Sequence, residues 1–216
     1  MEQEQQKKVL TQFWKENIEP TEEALKAFNE VDRKNFVPES IRNLAYEDAP
    51  LPLLRGKTIS QPTTVMIMTT ALELKEGQKV FEIGTGSGYQ AAIIAKITGE
   101  KGKVITTEVI PELVTFARQN LQKAGITNAK VYEEDGSKGL KEEAPFDRVI
   151  ITAACKEIPK PVLEQLKPEG IVVAPIGNAQ EQSLVKGTKD KNGRLQIEVI
   201  GPFVFTPMYG KYGFET

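Results

Sequence analysis

Histidine is absent from all 216 residues of the chain. That single absence excludes a Ser-His-Asp triad, a Cys-His pair and a His-ligated zinc centre, and removes the commonest general base at neutral pH. Cysteine is nearly as scarce: Cys155 stands alone, so no intramolecular disulfide can form, and after an apolar run it reads as a small buried hydrophobe. No metal site is expected. No apolar run is long enough to cross a bilayer, and Met1–Asn17 is charged and Gln-rich without an apolar core or cleavage signal, so a cytoplasmic protein is expected. An excess of one charge is missing too. With 28 Lys+Arg against 30 Asp+Glu the net charge is −2, which offers no field for nucleic acid or an anionic membrane.

What is present reads as helices followed by an alternating α/β pattern. An amphipathic helix is expected over Glu2–Ile18, with Val9, Leu10, Phe13 and Trp14 against a surface. A second follows Pro20, with Thr21 as N-cap and Ala24, Leu25, Phe28 and Val31 on one face. Asp32–Pro38 reads as a charged turn and residues 39–61 as mostly irregular, a length that is usually functional or a linker. A helix is expected from Pro62 to about Leu74, with Val65, Met68, Thr69 and Leu72 inward. Strands then fall at Lys79–Ile83, Lys103–Glu108, Ala129–Glu133, Phe146–Thr152 and Ile171–Ile176, with helices at Gly88–Ile97, Pro111–Ala124 and Pro161–Leu166. This alternation predicts a mostly parallel sheet with right-handed crossovers. Ser183–Thr188 and Leu195–Ile200, joined at Asn192-Gly193, predict an antiparallel hairpin, and the tail Phe203–Thr216 needs an apolar surface to cover.

The stretch VFEIGTGSGYQAA (Val80–Ala92) reads as a buried strand, a glycine-rich turn and the first turn of a helix. Its glycines let backbone lie close to a ligand, and the helix offers free N–H groups and a positive dipole end. A dinucleotide fingerprint puts its third glycine three residues after the second; here Gly88 follows Gly86 by two and Tyr89 stands next. Glu82, at the carboxyl end of the first strand, would repel a pyrophosphate but suits a cation, either touching the ligand or fixing the glycine loop. Glu108 ends the next strand, where a carboxylate can take ribose hydroxyls, and Asp135-Gly136 lies past the third, in reach of an adenine amino group. Each acid alone could be a solvated or helix-capping carboxylate. Together they describe S-adenosylmethionine, which joins a ribose, an adenine and a cationic amino acid without phosphate. The expected cofactor residues are Glu82, Gly84, Thr85, Gly86, Ser87, Gly88, Tyr89, Gln90, Glu108, Val109, Asp135 and Gly136. None of them names the methyl acceptor.

The segments AYEDAPLPL (Ala45–Leu53), KTISQP (Lys57–Pro62), EDGSKG (Glu134–Gly139), FDRVIITAA (Phe146–Ala154) and QLKPEGIVVAPIG (Gln165–Gly177), together with the glycine stretch, resemble the protein-L-isoaspartate O-methyltransferases. The similarity is collinear over roughly residues 30–210. It departs at Arg55-Gly56, where many of that family carry His-Gly, at Glu134-Asp135-Gly136 in place of Gly-Asp-Gly, and at Cys155 in place of alanine. The resemblance implies an α/β, Rossmann-like S-adenosylmethionine-dependent methyltransferase fold. It also implies methylation of the free α-carboxylate of L-isoaspartyl residues in damaged proteins and peptides, after which the ester collapses unaided to a succinimide. By the same resemblance Ser60 is the active-site residue, with Thr58, Ile59 and Gln61 lining the acceptor site. Taken alone, Ser60 reads instead as the N-cap of the helix from Pro62. A carboxylate acceptor is already ionised near neutral pH and needs no base, in keeping with a histidine-free chain. Residues 43–56 and the tail are expected to wall the acceptor cleft. The organisation expected is one domain over 1–216, with N-terminal helices and acceptor loop (1–76), cofactor core (77–177), and antiparallel strands and tail (178–216). A monomer acting on isoaspartyl proteins and peptides, without nucleic acid or membrane, is expected. A methyltransferase of this fold acting on a small molecule or RNA, and a non-catalytic binding module, are the alternatives.

Overall fold

The computed structural model describes residues 3–214, so Glu2 of the expected first helix and Glu215 and Thr216 of the tail lie outside the described residues. The elements are α1 (Gln3–Asn17), α2 (Glu22–Glu30), β1 (Leu51–Pro52), β2 (Thr58–Ile59), α3 (Pro62–Ala71), β3 (Lys79–Ile83), α4 (Tyr89–Thr98), β4 (Lys103–Glu108) and α5 (Pro111–Lys123). There follow β5 (Ala129–Glu133), β6 (Phe146–Ile151), α6 (Lys160–Gln165), β7 (Leu166–Gly177), β8 (Gln182–Lys189) and β9 (Leu195–Phe203). Seven strands form one sheet in the order β5-β4-β3-β6-β7-β8-β9. Neighbours from β5 to β7 run parallel, and the last two pairings are antiparallel. The sheet and its closing hairpin are those the sequence predicts.

Strand alternation sorts the core into two layers. Val80, Val104, Ile150 and Val173 face one cluster with α1 through α5. Phe81, Ile105, Val149 and Val172 face the other, with Val162 of α6 and Met208 of the tail. The chain leaves β3 toward β4 on one side and returns through β6 on the other. This reversal opens a crevice at the carboxyl ends of the strands, where ligands of open α/β sheets sit.

Several local expectations differ from the structure. Only Leu10 and Trp14 of the first helix are buried, whereas Val9 and Phe13 are 54% and 46% exposed, so α1 docks by a narrow seam. Trp14 meets Phe28 of α2 edge-on at 4.6 Å. The run 39–61 is not structureless. It holds a 3-10 stretch, Glu39–Leu44, and the hairpin β1–β2, where Leu51 pairs with Ile59. The charged turn is a second 3-10 stretch, Arg33–Phe36, capped by Asp32 Oδ1 on Lys34 N at 3.1 Å. α3 ends at Ala71, short of Leu74. β7 starts at Leu166 through an irregular register with β6, well before Ile171.

Candidate active site

The glycine loop leaves β3 and enters α4 through Gly88, whose φ of +86 fits the left-handed N-cap position, and where a Cβ would press on Leu121 at 3.3 Å. Three neighbours pin the loop. Gly84 N and Thr85 N donate to Thr107 O at 2.9 and 3.1 Å, and Asn120 Nδ2 donates to Ser87 O at 3.0 Å. Gly86 N donates to Glu108 Oε2 at 3.0 Å. The other oxygen of Glu108 accepts Val109 N at 2.9 Å and Ile110 N at 3.1 Å at the start of α5. A carboxylate has about four acceptor positions. Three of those on Glu108 are thus filled, and the fourth has no partner among the described residues.

Glu82 is fully buried. Its Oε2 accepts Thr106 Oγ1 at 2.5 Å, and that hydroxyl lies 2.6 Å from Thr85 Oγ1, so the carboxyl reaches the glycine loop through two threonines. Its Oε1 has no hydrogen-bond partner among the described residues. Burial pushes this carboxyl up to about 8, against the Thr106 hydrogen bond.

A cleft open to solvent lies over these strand ends. It brings together Thr58, Ile59 and Ser60 from the acceptor segment with Glu82, Gly84, Thr85, Gly86, Ser87, Tyr89 and Gln90, and with Glu108, Val109 and Gly136. Gln61, Gly88 and Asp135 do not line it. Asp135 faces the tail instead: Oδ1 accepts Ser137 N at 3.1 Å and Ser137 Oγ at 2.6 Å, and Oδ2 accepts Lys211 N at 2.8 Å. Burial raises its pKa, but these hydrogen bonds outweigh it and hold the carboxyl below its ordinary value. Residues 43–56 contribute nothing to the lining, although Leu53 sits over Gly86; the tail contributes Thr206 to Tyr209.

Ser60 does not cap α3. The N-cap position falls on Gln61, which makes no side-chain cap bond. Asp48 performs the capping from a distance, its Oδ1 accepting Thr63 N at 2.9 Å and its Oδ2 accepting Thr63 Oγ1 at 2.7 Å. Sequence reading missed Asp48 because its partner lies 15 residues on. It also missed Arg33, whose buried Nη2 donates to Ser60 O at 2.7 Å; a charged residue inside a polar turn carries no signal of burial. Val65, Met68 and Leu113 line the cleft as well, with the same apolar spacing that marks them as core.

The lining suits S-adenosylmethionine. Among the described lining residues Lys57 is the one cation, set against the carboxyl groups of Glu82, Glu108 and Glu134, a balance that favours a ligand without phosphate over a pyrophosphate. Glycine cradle, switch-point crevice and acidic strand ends define an S-adenosylmethionine-dependent methyltransferase of Rossmann-like fold. The family model for protein-L-isoaspartate(D-aspartate) O-methyltransferase matches residues 4–213, and the chain belongs to that family. A protein-L-isoaspartate O-methyltransferase of Methanococcoides burtonii is 47% identical over 88% of this chain and 93% of its own. Protein-L-isoaspartate O-methyltransferase 2 of Archaeoglobus fulgidus is 44% identical over 100% of this chain and 98% of its own. A solved protein-L-isoaspartate O-methyltransferase superposes with a TM-score of 0.85 at 28% identity, covering 98% of this chain and 67% of that one. A Plasmodium falciparum structure solved in complex with S-adenosyl-L-homocysteine, with a TM-score of 0.81 at 24% identity over 94% of this chain and 97% of that one, agrees in fold.

Proposed function

We propose that the chain performs its family's reaction in this cleft, methylating the free α-carboxylate of L-isoaspartyl residues in damaged proteins and peptides, with Ser60 and Thr58 holding the acceptor. Bound S-adenosylmethionine supplies an electrophilic methyl group on a sulfonium. The glycine loop, Glu82 and Glu108 hold the donor, with Val109, Ile110 and Leu113 as apolar wall. The acceptor carboxylate arrives ionised, so the chain need not move a proton. Its task is to align two reactants, an entropic gain worth up to ~7–11 kcal/mol in intramolecular reactions. Thr58 and Ser60 orient one carboxylate oxygen toward the methyl by hydroxyl or N–H hydrogen bonds, while Ile59 packs beneath them. Gln61 and Asp135 act from outside the lining, the first at the start of α3 and the second through the tail.

The observation that carries this reading is the placement of Thr58–Ser60 on the same cleft as the glycine loop, with the capping of α3 taken over by Asp48. On the same reading the protein is a cytoplasmic monomer that needs neither nucleic acid nor membrane, in line with a net charge of −2. An isoaspartyl peptide should take up base-labile methyl from S-adenosylmethionine and its aspartyl twin should not. Equal uptake by both peptides, or by neither, would overturn the assignment.

A further inference from the structure

Arg33 touches both halves of the cleft without lining it. It is wholly buried, and it reaches the acceptor side through two carbonyls far apart in sequence: Nε donates to Ala45 O at 2.7 Å and Nη2 to Ser60 O at 2.7 Å. On the donor side its guanidinium carbon lies 4.9 Å from the ring centroid of Tyr89, the first residue of α4 after the glycine loop. Its own backbone is fixed, since Arg33 N donates to Tyr46 Oη at 3.1 Å and that hydroxyl donates to Asp32 Oδ1 at 2.9 Å. No carboxylate pairs with it among the described residues, and Nη1 has no partner.

A buried, unpaired charge is an expensive way to fill a core. Apolar residues of like volume often serve stability better than buried ions. Burial lowers the pKa of this guanidinium only to about 10, so it stays charged at neutral pH. What the charge achieves is geometric. A planar fork can bind two carbonyls and stack on a ring at once, which neither lysine nor an apolar side chain can do.

We infer that Arg33 is a positioning residue for methyl transfer, fixing the Ser60 segment against the glycine-loop helix so that acceptor and donor keep their register. The inference rests on the assignment of Ser60 to the acceptor site. Arg33 acts through Ser60 rather than on the substrate, and this gives the role a signature that a purely structural residue lacks.

The test is a double-mutant cycle of Arg33→Lys and Ser60→Ala, with kcat and KM for an isoaspartyl peptide, cofactor affinity by calorimetry, and folding by circular dichroism. Arg33→Lys keeps the charge and most of the volume but cannot bridge both carbonyls. It should lower kcat/KM for the peptide about tenfold or more, the scale of a lost charged hydrogen bond, with cofactor affinity within about twofold of wild type. In the Ser60→Ala background the same change should cost less than about twofold, because the group it positions is gone. Equal losses in both backgrounds, a loss matched by weaker cofactor binding, or wild-type kinetics in Arg33→Lys would each overturn the inference. Arg33→Gln, uncharged but able to donate to one carbonyl, replaces Arg33→Lys if the latter does not fold, and failure of both to fold would assign Arg33 to stability alone and overturn it too. If Ser60→Ala itself leaves the kinetics unchanged, the acceptor assignment fails and takes this inference with it. A slow Ser60→Ala with additive Arg33→Lys sinks the inference alone.

Discussion

Glu82 shows how far one residue can be read from sequence. Its position before the glycines marks it as part of the cofactor site, and two roles fit that position equally well. The structure gives it features of both: it grips the loop through Thr106 and Thr85, while Oε1 stays unpaired. Sequence cannot distinguish these, because the threonine that mediates stands 24 residues away on another strand. The raised pKa has a consequence for stability. Between the ordinary carboxylate range and about 8, the folded protein keeps a proton on Glu82 that the unfolded chain has released. The stabilisation is full below the unfolded value and is lost as pH rises through that window. Glu82→Gln should therefore flatten the fall in stability of the ligand-free protein over this range, measured as Tm against pH. A slope identical to wild type would remove Glu82 as its source.

Among the elements, β3, β4 and β5 have the bounds their residues predict, since each is a short run rich in β-branched and aromatic residues set off by turn residues on either side. Within residues 39–61, before α3, local structure could not be read from the sequence. Two-residue strands and 3-10 turns carry no periodicity, and what holds them is tertiary. Thr63 Oγ1 donates to Asp48 while accepting Trp14 Nε1 at 2.8 Å, so one hydroxyl ties the loop and α1 to the start of α3. Arg55 adds an exposed ion pair with Glu112 of α5 across the mouth of the loop, a contact of the kind that contributes little. Asp48→Ala should destabilise the fold by about 1 kcal/mol, as loss of a helix cap does, in a urea titration. A midpoint unchanged from wild type would show that the cap adds nothing. The same exchange explains why Ser60 misleads when read alone: a serine one residue before Gln61-Pro62 has the local look of a cap, and only a distant aspartate relieves it of that task.

At the scale of the whole molecule the cleft is a joint product of distant parts of the chain. Residues 57–60, the strand ends and residues 206–209 of the tail all contribute to its lining. Tail and sheet are sewn together by Ala154 N to Thr206 O at 2.9 Å and Met208 N to Ala154 O at 2.8 Å. Further out, Lys57 Nζ sits 4.3 Å from the Tyr209 ring centroid. Asp135 with Lys211 N and Ser137 Oγ with Tyr212 N hold the end of this strap. Of the tail's aromatics, Phe205 is buried in the core and Tyr209 meets Lys57, whereas Tyr212 stays 40% exposed. Asp135→Ala should raise amide exchange across residues 209–213 while leaving β3 and β4 protected. Exchange unchanged in the tail would mean that Asp135 does not anchor it. The sequence made the sheet and donor loop legible because both are local patterns, whereas the wall opposite depends on who meets whom across the fold.

Thr206, Pro207, Met208 and Tyr209 line the cleft, and backbone hydrogen bonds of Ala154 with Thr206 and Met208 are what hold them there. Proteolysis is the natural probe of that arrangement. A cut between the end of β9 and Thr206 would take lining away from the cleft without breaking a strand of the sheet, so it should separate loss of methyl transfer from loss of fold.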